Sequence, residues 1–372
     1  INAVRHRGFL APVQLMPIYR NPDFRRLPPA LADIFNAAAR ASFFALPAWY
    51  DLMARYGVTP DTGTRIYSDE RPGSAAALIL QIVEDRAGRR LLSLANAYSV
   101  EHGILHPSGS DLETGLARII GEILDETPHW DGIALSELDP RDPAYETAAT
   151  ALRRSGFLVE RVFHSGNWFE DTAGLRFADY LAARPAELRN TWRRKRRRAV
   201  AAGLKISFFA ELAGIDQAIA DYEAIYARSW KPPEAFPRFM PALIRLAAEM
   251  STLRLAVATL GGVPAAAQFW IVWNGRAIIY KLAHDKRFDE FSLGTLLTMA
   301  LAERVLEEDH PHEIHFGRGD DPYKKLWLSR RRERWGISAA NPRTARGLRF
   351  GLKREAAKLY HRLRGQALTP PL

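Results

Sequence analysis

Residues 280–327 read YKLAHDKRFDEFSLGTLLTMALAERVLEEDHPHEIHFGRGDDPYKKLW, and the reading of this stretch decides the fold. Its apolar start, up to Ala283, predicts a strand running into a polar loop. The loop opens onto an amphipathic helix at Ser292-Leu293-Gly294-Thr295, with Leu293, Leu297, Leu301 and Val305 along one drifting stripe to about Glu308. A short strand over 313–316, a polar turn and a helix from Pro322 follow. A helix N-terminus leaves backbone N–H groups unpaired at the positive end of its dipole. A glycine in the first turn lets a phosphate approach that backbone closely. The order therefore predicts a pyrophosphate site made without a P-loop.

Working upstream, residues 253–260 predict a strand, Gly261-Gly262 a turn, and 266–273 its return. Asn274-Gly275 is a type I′ hairpin signal, and 276–283 is a third strand. A long helix over 215–228 and a segment around 241–250 precede this meander. The first half shows the same order. Strands over 78–84 and 90–97 meet at the turn 85–88, and Ser110 with Glu113 reads as a capping box for a helix to about Glu126. A strand over 132–138, a helix over 143–154 and a strand over 157–163 complete it. Residues 1–30 carry five prolines and predict a strand or two and a loop; short helices are expected over 31–40 and 47–56. The long helix starts about twenty residues before the next strand in both halves, near 112 and 132, then near 294 and 313. This is read as a structural duplication, with 169–189 joining the halves.

At 372 residues the chain is long for one core, and its 47 % hydrophobic and 25 % charged content is that of a globular protein. With no cysteine, disulfides, thiol nucleophiles and thiolate-bound zinc are excluded. No apolar run reaches the ~18 residues of a membrane span, and no signal peptide is visible. The net charge of +10 is concentrated in Arg193-Arg194-Lys195-Arg196-Arg197-Arg198, in a cluster from Lys324 to Arg334, and in a tail from Arg343 to Arg364. Such surfaces attract phosphates, nucleic acid or acidic lipid.

A three-strand meander, a helix whose N-terminus faces an open strand edge, a strand and a helix together resemble the GNAT acyltransferase fold. The stretch 189–335 is similar to the CelD (cellulose biosynthesis protein) type of that superfamily, related to the FemABX peptidyltransferases. The similarity rests on the run 193–198, Ser229-Trp230-Lys231, Ala266-Ala267-Gln268, Lys281-Leu282-Ala283-His284-Asp285, Ser292-Leu293-Gly294-Thr295, and Phe316-Gly317-Arg318-Gly319-Asp320-Asp321-Pro322-Tyr323-Lys324-Lys325. Phe43-Phe44 with Trp49 fits the family's opening. The resemblance implies an α+β protein with a tandem duplication of two GNAT-like domains, each a mixed, mainly antiparallel sheet flanked by helices. These are a degenerate N-terminal domain over 1–165, an acyltransferase domain over 166–340, and a basic amphipathic helical tail over 341–372. It implies transfer of an acyl group from acyl-CoA, as co-substrate, to an amine or hydroxyl on a saccharide or lipid-linked envelope precursor, without a metal. Two alternatives stand beside it: FemABX-like aminoacyl transfer from tRNA, and a non-catalytic accessory protein of exopolysaccharide production. The loop departs from the family's usual Arg/Gln-x-x-Gly-x-Gly/Ala: Phe288 to Thr295 holds one glycine, with Asp289 and Glu290 ahead of it.

On this resemblance Ser292, Leu293, Gly294, Thr295 and Lys324 would hold the donor. Tyr323 would protonate the leaving thiolate, and Asp285 or His284 would serve as base. Trp230, Lys231, Gln268, Lys281, Arg318 and Asp320 would line the substrate side. Each has an ordinary alternative: a side-chain-capped helix start at Ser292, a turn at Asp285 beside a solvated His284, a packed Tyr323, an Arg318–Asp320 ion pair, a core Trp230. His310, His312 and His315 span a proline-containing loop and a strand, so a metal is not expected. The run 193–198 has one aromatic neighbour, Trp192, and reads as a charged helix with a solvated face; nucleic acid is not its expected partner. In the tail, Leu348, Leu352, Ala356, Leu359 and Leu363 form an apolar stripe on a basic helix, which suits an anionic membrane surface or packing against the second domain. The expected location is the cytoplasm, with the inner membrane face as the surface the tail would touch.

Overall fold

A computed structural model of the protein describes residues 16–86 and 88–363. Within them one sheet contains β1 (Ile18–Arg20), β2 (Thr64–Asp69), β3 (Ala76–Asp85), β4 (Gly88–Ser93), β5 (Gly132–Leu138), β6 (Leu158–Asp171), β7 (Lys205–Phe209), β8 (Leu253–Leu260), β9 (Val263–Trp273), β10 (Arg276–His284), β11 (Glu313–His315) and β12 (Arg330–Ala340). The order across the sheet is β1-β2-β3-β4-β5-β12-β6-β11-β10-β9-β8-β7. Counted inward from either edge, each strand meets its counterpart six strands later in the chain. The parallel pairs fall at matching places, β4 with β5 and β10 with β11. This is a tandem duplication of two mixed, mainly antiparallel units. The units exchange their last strands: β12 lies between β5 and β6, and β6 pairs with β11.

Local signals place most elements. The strand over 132–138, the helix Pro143–Arg154 and the strand over 253–260 lie where periodicity puts them. Asn274 and Gly275 both have positive φ, as a type I′ turn requires. Four expectations are corrected. Asp111, not Ser110, caps the helix Leu112–Asp125, its carboxylate accepting from the Thr114 amide. The last strand of the first half runs on to Asp171, so Phe169 is sheet and not linker, and the helices Phe177–Ala182 and Ala186–Ala201 make the junction. Pro322–Leu326 is a single 3₁₀ turn, after which the chain enters β12. Helix Leu293–Arg304 is not amphipathic: Leu293, Leu296, Leu297, Met299 and Leu301 are buried around its circumference. A helix enclosed on most sides needs no polar face. Of the expected turn 85–88, Ala87 lies outside the described residues, as do residues 1–15 and 364–372.

Three cores hold the layers together. One extends under both halves, with Phe44, Trp49, Phe239 and Phe269; a second lies beneath helix Leu112–Asp125; a third lies beneath helix Leu293–Arg304, around Trp270 and Leu297. Each fully buried Leu or Ile contributes roughly 1.5–3 kcal/mol. At the junction, Glu101 is held by Arg276 at 3.0 Å and Arg334 at 2.8 Å, and Arg334 also reaches Asp139 at 2.7 Å. Glu313 takes Arg276 and Arg332. Burial alone would raise the Glu101 carboxyl; the guanidiniums of Arg276 and Arg334 hold it well below the usual range. The first half supplies Glu101 and Asp139 and the second Arg276 and Arg334. Removing one partner of such a buried pair costs about 3–5 kcal/mol. The network therefore fixes the two units against each other.

Candidate active site

The site begins where a parallel pair ends early. β10 pairs with β11 over Arg276 to Ile278. Beyond that, Ile279 to His284 pairs with no strand on that side among the described residues, and its edge borders a cavity of about 590 Å³. Opposite, β10 pairs with β9 through a register shift that leaves Tyr280 without a partner. Such a bulge turns backbone polar groups out of the ladder. The first half has the same pairing of β3 with β4, but without a shift.

The start of helix Leu293–Arg304 closes one side of the cavity. Ser292 adopts a left-handed conformation, and its side chain makes no capping bond. The Ser292 and Thr295 amides are spent on the carbonyls of Asp289 and Ser292. The amides of Leu293 and Gly294 are the first two of the helix and precede any intrahelical acceptor. Gly294 is a close approach: a Cβ there would lie 3.0 Å from Leu282 Cδ2 and 3.8 Å from His284 Nδ1, on the edge of β10. The acids ahead of the loop are both engaged, Asp289 hydrogen-bonded to His284 Nε2 at 2.8 Å and Glu290 ion-paired with Arg198, with Lys195 on its carbonyl. The cations Lys231, Lys281, Lys286, Arg318 and Lys324 line the cavity against the acids Asp289 and Asp321.

Most of the expected residues meet here. Trp230, Lys231, Gln268, Lys281, His284, Ser292, Gly294, Thr295, Arg318, Tyr323 and Lys324 all line the cavity. Trp230 is 48 % exposed and lies 4.4 Å from the His284 ring, so it covers the site and is not a core residue. His284 Nδ1 and Gln268 Nε2 are buried without a hydrogen-bond partner. Thr298 Oγ donates to Gln268 Oε1 at 3.1 Å and orients that amide. Burial, reinforced by Lys281, lowers the Lys231 ammonium to about 8. Burial raises the Tyr323 phenol to about 12, so it keeps its proton. Lys324 is pushed down by burial against the pull of Asp321; its ammonium donates to the carbonyls of Arg318 and Gly319.

Three expected residues stay outside. Leu293 is buried in the helix core. Asp285 caps the turn Lys286–Phe291 and is bound by Arg287 and Arg228 at 2.7 and 2.6 Å. The Arg287 hydrogen bonds, acting against burial, hold its carboxyl well below the usual range, which makes it a poor base. Asp320 accepts from Trp168 and Arg331, while Arg318 reaches Glu137 of the first half, so the expected Arg318–Asp320 pair does not form. Sequence reading also missed Glu234, which bonds Lys281 at 2.9 Å and Tyr98 at 2.6 Å. The bulge at Tyr280 was missed as well, since no glycine or proline marks it within residues 276–284.

Residues 186–325 match the acetyltransferase (GNAT) domain family. The match lies within the second half of the chain, over the unit that carries the cavity, and supports an acyltransferase there. Among solved structures, FemX is similar at 9 % identity and a TM-score of 0.60, over 84 % of this chain and 96 % of that one. A conserved protein of unknown function from Bacteroides thetaiotaomicron is similar at 11 % identity and a TM-score of 0.54, over 88 % of this chain and all of that one. Both likenesses concern the fold. No curated protein matches the chain significantly in sequence.

Proposed function

We propose that the cavity of the second half binds acyl-CoA and transfers its acyl group to an amine or hydroxyl acceptor. The observation that carries this reading is the contrast between the two helix starts. In the first half, the carboxylate of Asp111 occupies the N-terminus of helix Leu112–Asp125. There Ser93 Oγ also accepts from the Ser136 amide beside the parallel pair. In the second half the helix start has no side-chain cap, the strand edge is open, and cations outnumber acids. A dipole end with free amides suits a pyrophosphate. The volume falls within the ~300–1,000 Å³ of small-molecule sites. On this reading residues 166–340 act, and residues 1–165 are a degenerate copy whose Glu137 and Tyr98 hold Arg318 and Glu234 from behind the cavity.

The acceptor's N–H or O–H attacks the thioester carbon, the C–S bond breaks, and two protons move. His284 is the base: with Nε2 on Asp289, its unpartnered Nδ1 takes the acceptor proton. Tyr323, its phenol protonated, gives a proton to the leaving thiolate. Gln268 Nε2 and the backbone at the Tyr280 bulge are donors for the carbonyl oxygen. Trp230, Lys231 and Lys281, the last held by Glu234, face the acceptor. The CelD-type resemblance makes that acceptor a saccharide or lipid-linked envelope precursor, handled in the cytoplasm.

One observation favours a second reading, aminoacyl transfer from tRNA. Helix Ala186–Ala201 touches the loop at Glu290, and its Arg193, Arg194 and Arg197 are exposed beside the site. Thermal shift with CoA, acetyl-CoA, a long-chain acyl-CoA and tRNA separates the two. A ligand present at 100 times its Kd adds about 2.7 kcal/mol to stability. Stabilisation by CoA species is expected. Stabilisation by tRNA alone would transfer the assignment to the second reading, and no response to any CoA species would remove the first.

A further inference from the structure

The C-terminal helix Ala345–Leu363 has two faces with different fates. Its inner face is fixed to the sheet. Gly347 lies so close to the Asn341 and Asp131 carbonyls that a Cβ would come within 2.1 and 2.5 Å of them. Gly351 packs on Leu158 and Ala340 in the same way. Arg354 reaches Glu160 and the Ser338 hydroxyl. The anchorage is thus on β6 and β12 at the centre of the molecule, which corrects the expectation of packing against the second domain for Leu348, Leu352 and Ala356; the side chains of Leu359 and Leu363 lie outside the described residues. The outer face stays open. Leu348 is 41 % and Leu352 57 % exposed, and Ala356 continues them one turn on. Arg346, Arg349 and Lys353 flank this stripe and are exposed. Among the described residues no carboxylate pairs with Arg343, Arg346, Arg349 or Lys353. Over 343–364 the sequence holds eight Lys and Arg against a single acid, Glu355.

We propose that this outer face docks the protein on an anionic phospholipid bilayer. The inference is independent of the acyl donor, since none of these residues lines the cavity. Charge selects the occupant. The stripe is one residue wide per turn, with long aliphatic cations along it. Such a helix lies in the interface plane, its leucines below the headgroups and its Arg and Lys stems alongside them, with the charges on phosphate. A helix seated in a protein groove presents a wider set of anchors at i, i+3, i+4 and i+7. No helix among the described residues is long and apolar enough to cross a membrane, so the contact is peripheral. Because glycines and Arg354 hold the helix rigidly, the leucines are presented without an ordering step.

The full chain is sedimented with vesicles of equimolar phosphatidylglycerol and phosphatidylcholine, and with phosphatidylcholine alone. Binding to the mixed vesicles only, with release at high salt, is expected. The pair Leu348→Asp with Leu352→Asp, and the pair Arg346→Glu with Arg349→Glu, should each weaken it by about tenfold or more. Both variants should keep the parent melting temperature, because the altered side chains are exposed. The proposal is overturned if the parent ignores the mixed vesicles, or if both variants bind as the parent does. It is equally overturned if the leucine variant melts lower, which would mean the stripe is covered in the folded protein. Loss of self-association in that variant without a change in vesicle binding would assign the face to a second copy. Loss of vesicle binding only on Arg193→Glu, Arg194→Glu and Arg197→Glu would assign membrane contact to the other basic helix.

Discussion

Replacing Gly294 separates a donor site from an ordinary helix start. A methyl at this position would meet Leu282 Cδ2 at 3.0 Å and Cδ1 at 3.7 Å, and His284 Nδ1 at 3.8 Å. The nearest atom is the end of a flexible leucine, which can give by a few tenths of an ångström. Alanine also gains about 1 kcal/mol over glycine in helix propensity. The two effects oppose, so Gly294→Ala should fold with stability within about 1 kcal/mol of the parent. Valine adds two more methyls to a crowded place; overpacking costs about 1–3 kcal/mol, offset in part by propensity. Binding responds differently. An amide bond to a charged phosphate is worth about 1.5–3 kcal/mol, roughly tenfold to 150-fold in affinity. The methyl fills the gap between helix start and strand edge where the donor would approach. Isothermal titration with CoA should show about a tenfold loss for Gly294→Ala and about a hundredfold or larger loss for Gly294→Val, while denaturant unfolding shows both variants folded. A folded Gly294→Val protein with the parent's CoA affinity would refute the placement of the pyrophosphate here.

Tyr323→Phe should lower turnover by about 10²–10⁴-fold with little change in acyl-CoA binding; normal turnover in single-turnover kinetics would return Tyr323 to a packing role against Phe316. Lys231 makes a signed pH prediction. Its folded value, about 8, lies below the ordinary 10.5, so between these values the unfolded chain binds more protons and stability rises with pH. Below pH 8 the buried ammonium costs up to about 3 kcal/mol. Lys231→Met should therefore be more stable than the parent at pH 7, with the difference shrinking towards pH 10.5 in urea unfolding series. A difference that stays constant with pH would show that the ammonium is not strained.

How far the sequence reaches is clearest at individual elements. The hairpin at Asn274-Gly275, the helix Pro143–Arg154 and the strand over 132–138 follow from turn chemistry and periodicity, which act over a few residues. The strand β12 did not follow. Its cations at Arg330, Arg331, Arg332 and Arg334 mask the alternation, and Arg332 and Arg334 become intelligible only with Glu313, Glu101 and Asp139 in place, the nearest of them nineteen residues away in sequence. The cap at Ser110 failed by one position because Asp111 competes for the same amides.

The repeated order of hairpin, helix, strand, helix and strand was fixed by local patterns, and so was the glycine at a helix start, because backbone conformation is chosen among near neighbours. Tertiary structure decided which of the two helix starts is open, that the halves trade β6 and β12, and that Trp230, Gln268, His284 and Tyr323 share one cavity while Asp285 is locked between two arginines. Those outcomes depend on pairings across the sheet and on burial, where a carboxylate's or an amide's partner is set by packing of segments far apart in the chain.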